Sequence, residues 1–306
     1  MSDPRIAIVG AGNHATGSIY PLVGQAGGQI VGVCDLQAEL AERNARRWGG
    51  NVYTDLDAML DAEKPDGVMI CIGPVPHTEL AQLVMKRGIP VYTEKPPAVS
   101  PAAALETARL SNELGVLCTT AFKKRYAICY NRAKEFIDSF PADARYSLGI
   151  DYCSGEYANL GGSSDYLLDF AIHIIDLVGY LFGDVDEVFA MTKDRHAYAV
   201  TLRFACGALA SMNLNDGQTW GFPAEEVEIT VKGGNVMRIH NSSCWQIVQD
   251  GVCCEFREPA TYLSGNSSGP DTGHLPEIED FVAAITEGRN TSRSNIYESY
   301  KSMVLY

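Results

Sequence analysis

The run Arg5-Ile6-Ala7-Ile8-Val9, followed directly by Gly10-Ala11-Gly12-Asn13-His14-Ala15, constrains the fold of this chain more than any other feature. A short apolar stretch that stops at G-x-G-x-x-A and passes into helical sequence reads as strand, tight turn and helix, the opening of a βαβ unit around a parallel sheet. The same alternation continues to about Thr120. Ile30 to Cys34, Val68 to Ile72, Pro90 to Thr93 and Val116 to Thr119 read as strands. Helical stretches such as Leu36 to Trp48 and Thr78 to Arg87 stop at Gly49-Gly50 and Gly88, where glycine supplies the left-handed cap. The spacing predicts a doubly wound α/β domain over 1-121.

Beyond Tyr126 the pattern changes. A helix over Tyr130 to Phe140 and a strand from Arg145 to Tyr152 precede a long apolar helix, Asp165 to Phe182. Alternating strands then follow one another across glycine turns, at Cys206-Gly207 and at Gly233-Gly234-Asn235, which predicts a mostly antiparallel sheet. Leu275 to Glu287 and Asn295 to Tyr306 read as closing helices, and the natural end beyond Tyr306 stays open. Residues 122-306 are therefore expected to form a second, α+β domain, in keeping with a chain of 306 residues and about two cores.

A net charge of -14 opposes a phosphate backbone, so nucleic acid is not an expected partner. No apolar run approaches the roughly 18 residues of a membrane span, and the N-terminus lacks the basic region of a secretory signal. A cytoplasmic protein without a membrane partner is expected. Nine irregularly spaced cysteines predict no disulfide framework, and no cysteine pairing at zinc spacing calls for a metal.

Where a Gly-rich turn opens a helix, backbone N–H groups receive a pyrophosphate. Gly10, Gly12, Asn13 and His14 are thus candidate dinucleotide contacts. Asp35, at the end of the second strand, can accept from both hydroxyls of an adenosine ribose and would repel a 2′-phosphate. With Leu36 rather than a basic residue following it, NAD is expected over NADP. Asp35 also reads as a helix N-cap. Ile72-Gly73-Pro74-Val75-Pro76-His77 and Glu94-Lys95-Pro96 end later strands, and ligands of an open α/β sheet bind at those carboxyl ends. At 100° per residue, Asp165, Asp169, His173 and Asp176 share a stripe about 80° wide on an otherwise apolar helix. Burying such groups is costly unless they pair or line a wet cleft, so the stripe marks either a site or a satisfied core histidine.

With the Gly-rich turn, Asp35, Pro-x-x-His77, Glu94-Lys95-Pro96 and Asp169-x-x-x-His173 in that order, the sequence resembles the Gfo/Idh/MocA oxidoreductases across essentially its whole length. The resemblance implies a Rossmann domain that binds NAD(P) through Gly10, Gly12, Asn13, His14, Asp35, Ile72, Gly73, His77, Glu94 and Lys95. It also implies a second domain that supplies the substrate floor and uses an open sheet to form homodimers or homotetramers. Lys95, Asp169 and His173 match the catalytic trio: His173 takes the hydroxyl proton, Lys95 hydrogen-bonds the same oxygen, and Asp169 orients the pair or binds a neighbouring hydroxyl. The implied substrates are sugars, cyclitols and their derivatives. Ile72-Gly73-Pro74 replaces the family's usual Thr-Pro-Asn, removing two side-chain contacts to the cofactor. Lys123 stands where a neutral residue is common in the family, and reads either as an additional cation for an acidic substrate or as an exposed side chain. A redox-neutral glycoside-cleaving enzyme and a dinucleotide-binding sensor are the alternatives on the same fold.

Overall fold

A computed structural model describes residues 3–156, 165–220, 225–258 and 272–306. The chain divides into two compact units, one of residues up to Lys123 with His274–Val304, the other of Lys124–Gly273 with Leu305–Tyr306.

Six strands build the first unit: β1 (Arg5–Val9), β2 (Gln29–Cys34), β3 (Asn51–Tyr53), β4 (Gly67–Ile70), β5 (Val91–Thr93) and β6 (Cys118–Thr120). All pair in parallel in the order β3-β2-β1-β4-β5-β6, so the order reverses between β1 and β4 and opens a crevice at their carboxyl ends. Registers Val9↔Cys34, Val9↔Ile70 and Ile70↔Thr93 bring the strand ends level. The next residues, Gly10, Asp35, Cys71 and Glu94, therefore form one row along that edge.

The crossovers are α1 (Asn13–Ser18), α2 (Tyr20–Val23), α3 (Ala38–Trp48), α4 (Leu56–Glu63), α5 (His77–Lys86) and α6 (Pro101–Leu114). Strand β3 and helix α4 were not expected from the sequence, since a three-residue strand whose side chains stay largely exposed carries no apolar run to read.

The expected division differs at its C-terminal end. After α7 (Ile128–Asp138) and α8 (Ile172–Phe182), both in the second unit, the closing helices α9 (His274–Glu287) and α10 (Ile296–Leu305) cluster with the first unit up to Val304. Ile278, Phe281 and Val282 of α9 pack with Ile6, Ile8 and Tyr92, while Ile296 joins the opposite face with Val9 and Ile70. Gly67 permits this approach, because a Cβ there would lie 2.4 Å from Ile285 Cδ1.

The second unit is an eight-stranded sheet, β7 (Arg145–Gly155), β8 (Val185–Lys193), β9 (Ala197–Phe204), β10 (Leu209–Gln218), β11 (Glu225–Val231), β12 (Asn235–His240), β13 (Cys244–Gln249) and β14 (Val252–Arg257), in the order β14-β13-β12-β11-β7-β10-β9-β8. Among the described strands of this sheet only β7 and β10 pair in parallel, as the alternating pattern predicted for a mostly antiparallel sheet. Leu148, Ile150, Leu202, Met212, Val227 and Ile239 bury one face with α7 and α8, and Asp151, Thr201, Asn213, Glu228 and Arg238 line the other.

Consecutive buried cations open this unit. Lys124 Nζ donates to Glu225 Oε2 (2.6 Å) and Ser242 Oγ (3.1 Å), and the Tyr130 hydroxyl also donates to Glu225. Burial pushes the Glu225 carboxyl up, but Lys124, Tyr130 and Ser242 together hold it below the usual carboxylate value of 4.5. Its contribution to stability is thus fully present above pH 4.5 and is lost as pH falls through the lowered folded value. Thermal midpoints measured from pH 7 to 3 should drop more steeply in the native chain than in Glu225→Gln; identical slopes would show that the pair adds nothing.

Candidate active site

Gly10 follows β1 with φ +99°, and a Cβ there would sit 2.2 Å from the Cys71 carbonyl oxygen. Glycine is required for the chain to turn beside the end of β4. At Gly12 a Cβ would meet nothing within 4 Å, so open space lies above the residue that precedes α1. Asp35 spans the crevice from β2: Oδ2 accepts from the Ala11 N–H (2.8 Å) and Oδ1 from the Gln37 N–H (2.9 Å). It does not cap α3, whose cap residue is Gln37 and carries no side-chain bond. Each carboxylate oxygen has a second lone pair for a ribose hydroxyl. Leu36 and Val75, 92% and 78% exposed, flank the crevice from adjacent loops and offer apolar contact to a base. These residues fit a dinucleotide.

The turn is braced from behind by residues the sequence did not point to. The Ala11 carbonyl accepts from Asn44 Nδ2 (3.3 Å), Arg43 Nη2 (3.2 Å) and Thr16 Oγ1 (3.3 Å). No local spacing announces Arg43 or Asn44, since folding brings α3 back to the turn from some thirty residues away.

Several expected contacts change role. His77 is completely enclosed, with Nδ1 2.8 Å from the Pro96 carbonyl oxygen and Nε2 3.1 Å from that of Ile72. It cannot line a binding surface; it ties together the loops after β4 and β5. Burial lowers its pKa despite both carbonyls. Gly73 is exposed, with room for a Cβ, and Ile72 lies against Gly10. Glu94 is buried, Lys95 is half-buried, and His14 extends from α1 to Glu94. The His274 ring lies 6.4 Å from the His14 ring, centroid to centroid.

In the second unit the expected straight helix from Asp165 is interrupted. Leu167–Ala171 forms a π turn that leads into α8, so the 100° count used to align Asp165, Asp169, His173 and Asp176 fails across it. Asp165 caps this segment, accepting from the N–H groups of Leu167 (2.9 Å) and Leu168 (3.3 Å), and Asp169 Oδ2 accepts from the Asp165 N–H (2.9 Å). Arg195 donates to Asp165. His173 is 8% exposed on a helix buried at every residue but Gly179 and Tyr180. Asp176 belongs to Arg125, which donates to both of its oxygens at 2.7 and 2.8 Å and stacks over Tyr180. The stripe thus holds a core ion pair at Asp176 and a buried imidazole at His173. Lys123 begins a short 3-10 turn as its half-buried member, while Lys124 and Arg125 are buried. His240 pairs with Glu226 on the face of the sheet opposite the helices, and Trp220 packs edge-on to Phe170. Of the two loops expected from the sequence to set pocket selectivity, Gly155 to Ser164 and Asn215 to Ala224, residues 157–164 and 221–224 lie outside the described residues.

Residues 4–122 match the family described as an oxidoreductase family with an NAD-binding Rossmann fold, and residues 141–237 match the GFO/IDH/MocA C-terminal domain. The chain belongs to the Gfo/Idh/MocA family. Among its Gfo/Idh/MocA relatives, the D-glucoside 3-dehydrogenase of Escherichia coli is 30% identical over 58% of this chain. That alignment spans about half of the relative, 54% of its length. An inositol 2-dehydrogenase of Streptomyces avermitilis is 29% identical over 98% of this chain and 89% of its own. An Agrobacterium radiobacter oxidoreductase, solved in complex with NAD+, L-tartaric acid and magnesium, superposes with a TM-score of 0.86 at 17% identity, covering 99% of this chain and 94% of its own. The last likeness concerns fold. Of the trio implied by family membership, Lys95 belongs to the first unit and Asp169 and His173 to the second.

Proposed function

We propose that this chain is an NAD-dependent oxidoreductase that transfers a hydride between nicotinamide and a ring hydroxyl of a sugar, cyclitol or sugar derivative. The observation that carries the cofactor assignment is Asp35: its carboxylate is fixed on the Ala11 N–H, in the row with Gly10 and Glu94, and in this reading it accepts from an adenosine ribose. The substrate class is supported by the relatives named above, dehydrogenases of a glucoside and of inositol. NAD, when bound, supplies the hydride acceptor. In this reading His173, nearly buried on α8, receives the hydroxyl proton, and Lys95 donates a hydrogen bond to the oxygen as negative charge develops on it. Asp169 is the orienting carboxylate, and Lys123 a cation for an acidic substrate group.

The first unit takes the cofactor and the second the substrate. The outward sheet face, a concavity of about 530 Å³ edged by Phe189 and Met191 (66% and 61% exposed), is the proposed interface of a homodimer or homotetramer. We place the protein in the cytoplasm, in keeping with nine free thiols; among the described residues no helix is long and apolar enough to cross a membrane.

Fluorescence titration tests the cofactor assignment without a known substrate. NADH should bind at least about tenfold more tightly than NADPH, because a fixed carboxylate faces the added phosphate, and Asp35→Ala should bring the two affinities together. Equal affinities in the native protein would refute the role of Asp35.

A further inference from the structure

Glu94 closes β5 with only 6% of its surface exposed, and its two carboxylate oxygens serve different elements. Oε1 lies 3.2 Å from His14 Nε2, and Oε2 accepts from the backbone N–H of Lys95 at 3.3 Å. His14 is the second residue of α1, immediately beyond the Gly10 to Gly12 turn, and its side chain is 56% exposed. His274, at the start of α9, lies beside it. Burial alone would raise the Glu94 carboxyl; the bond to His14 and the positive charges of His14, Lys95 and His274 outweigh burial and hold it below the usual range. Cys71, His77, Tyr92 and Glu277 also belong to the charged and titratable surroundings, the Tyr92 hydroxyl donating to Glu277 at 2.9 Å.

The loop Glu94-Lys95-Pro96 is therefore held from two sides by histidines of different helices. His77 of α5 takes the Pro96 carbonyl from within the fold, where nothing can reach it. His14 of α1 acts through Glu94 on the Lys95 N–H, and it stands at the element on which a dinucleotide would rest. One clamp is permanent, and the other adjoins the ligand.

We propose that His14 and Glu94 form a positioning pair that couples dinucleotide binding at the Gly-rich turn to the placement of Lys95. The inference rests on the NAD-binding reading and deepens it. A ligand that orders the turn orders His14, which fixes the Glu94 carboxylate and with it the Lys95 backbone. Conversely, a loop already held in place spares bound NADH the cost of ordering it.

A variant series in the full chain tests this. His14→Gln keeps a donor within reach of Glu94, His14→Leu keeps bulk without one, and both are combined with Glu94→Gln. His14→Leu should weaken NADH binding about 5- to 20-fold, as expected for loss of a partly exposed charge-assisted bond, and His14→Gln should stay within about threefold of the native protein. The double variant His14→Leu/Glu94→Gln should bind no more weakly than Glu94→Gln alone, since the partners act as one unit. In Glu94→Gln, where the loosened loop exposes the half-buried Lys95, acetic anhydride should label Lys95 several-fold faster relative to exposed Lys232, read by peptide mass spectrometry without nucleotide present. Losses that add, or native affinity in His14→Leu, would overturn the coupling and leave NAD binding intact. A Lys95 labelling rate unchanged in Glu94→Gln would overturn the placement of Lys95 by the pair. A native protein that binds neither NADH nor NADPH would overturn the inference together with the cofactor assignment.

Discussion

Asp176→Asn should destabilise the second unit by about 3–5 kcal/mol, because it leaves the Arg125 guanidinium buried beside a neutral amide. The Arg125 and Asp176 side chains are 4% and 0% exposed, so solvent cannot take over the carboxylate's role. The fork is bidentate, and the Tyr180 ring, its centroid 5.3 Å from the guanidinium carbon, covers the cation further. Replacing both partners at once, as in Arg125→Met/Asp176→Leu, should cost much less than either single change, since burying two charges offsets much of what their attraction returns. Denaturant unfolding of the three proteins measures this directly. A loss below about 1 kcal/mol in Asp176→Asn would mean that water reaches the pair and that its stability role is minor.

His173→Ala should lower turnover by about 10² to 10⁴ while NADH affinity stays within about twofold, once a screen of sugars and cyclitols yields a substrate. The imidazole is nearly buried three residues before Asp176, so the Arg125 fork anchors the helical turn that carries it. In the direction of hydroxyl oxidation the base must be neutral to accept a proton, so the rate should rise with pH across the imidazole range. That rise should vanish in His173→Ala. A variant that retains native turnover would remove His173 from the chemistry and return it to the core-histidine reading.

The legible parts of this protein are those whose signal is local. The Gly10 to Ala15 turn and the apolar strands ending at Val9 and Cys34 announce themselves over a few residues, because strand, turn and helix each follow from neighbours in the chain. The same is true of the glycine-linked strands of the second unit, although the parallel pairing of β7 with β10 depends on contacts more than fifty residues apart. Helix α8 was legible as a buried helix and misread in phase, since a π turn at Leu167–Ala171 shifts the side chains that precede His173. Residue counting at 100° has no means of detecting an inserted register.

The sequence by itself determined the two-part architecture, the Gly-rich turn and the residue types offered to a dinucleotide, because periodicity, glycine conformational demands and charge are written in contiguous stretches. Only the tertiary structure decided which of those residues are exposed for binding and which are already engaged. It withdrew His77 into the interior, gave Asp176 to Arg125, joined Glu94 to His14 across 80 residues, and returned α9 and α10 to the first unit. A buried polar group must find its partner within about 3 Å in space, and nothing in the chain's linear order specifies which partner that will be.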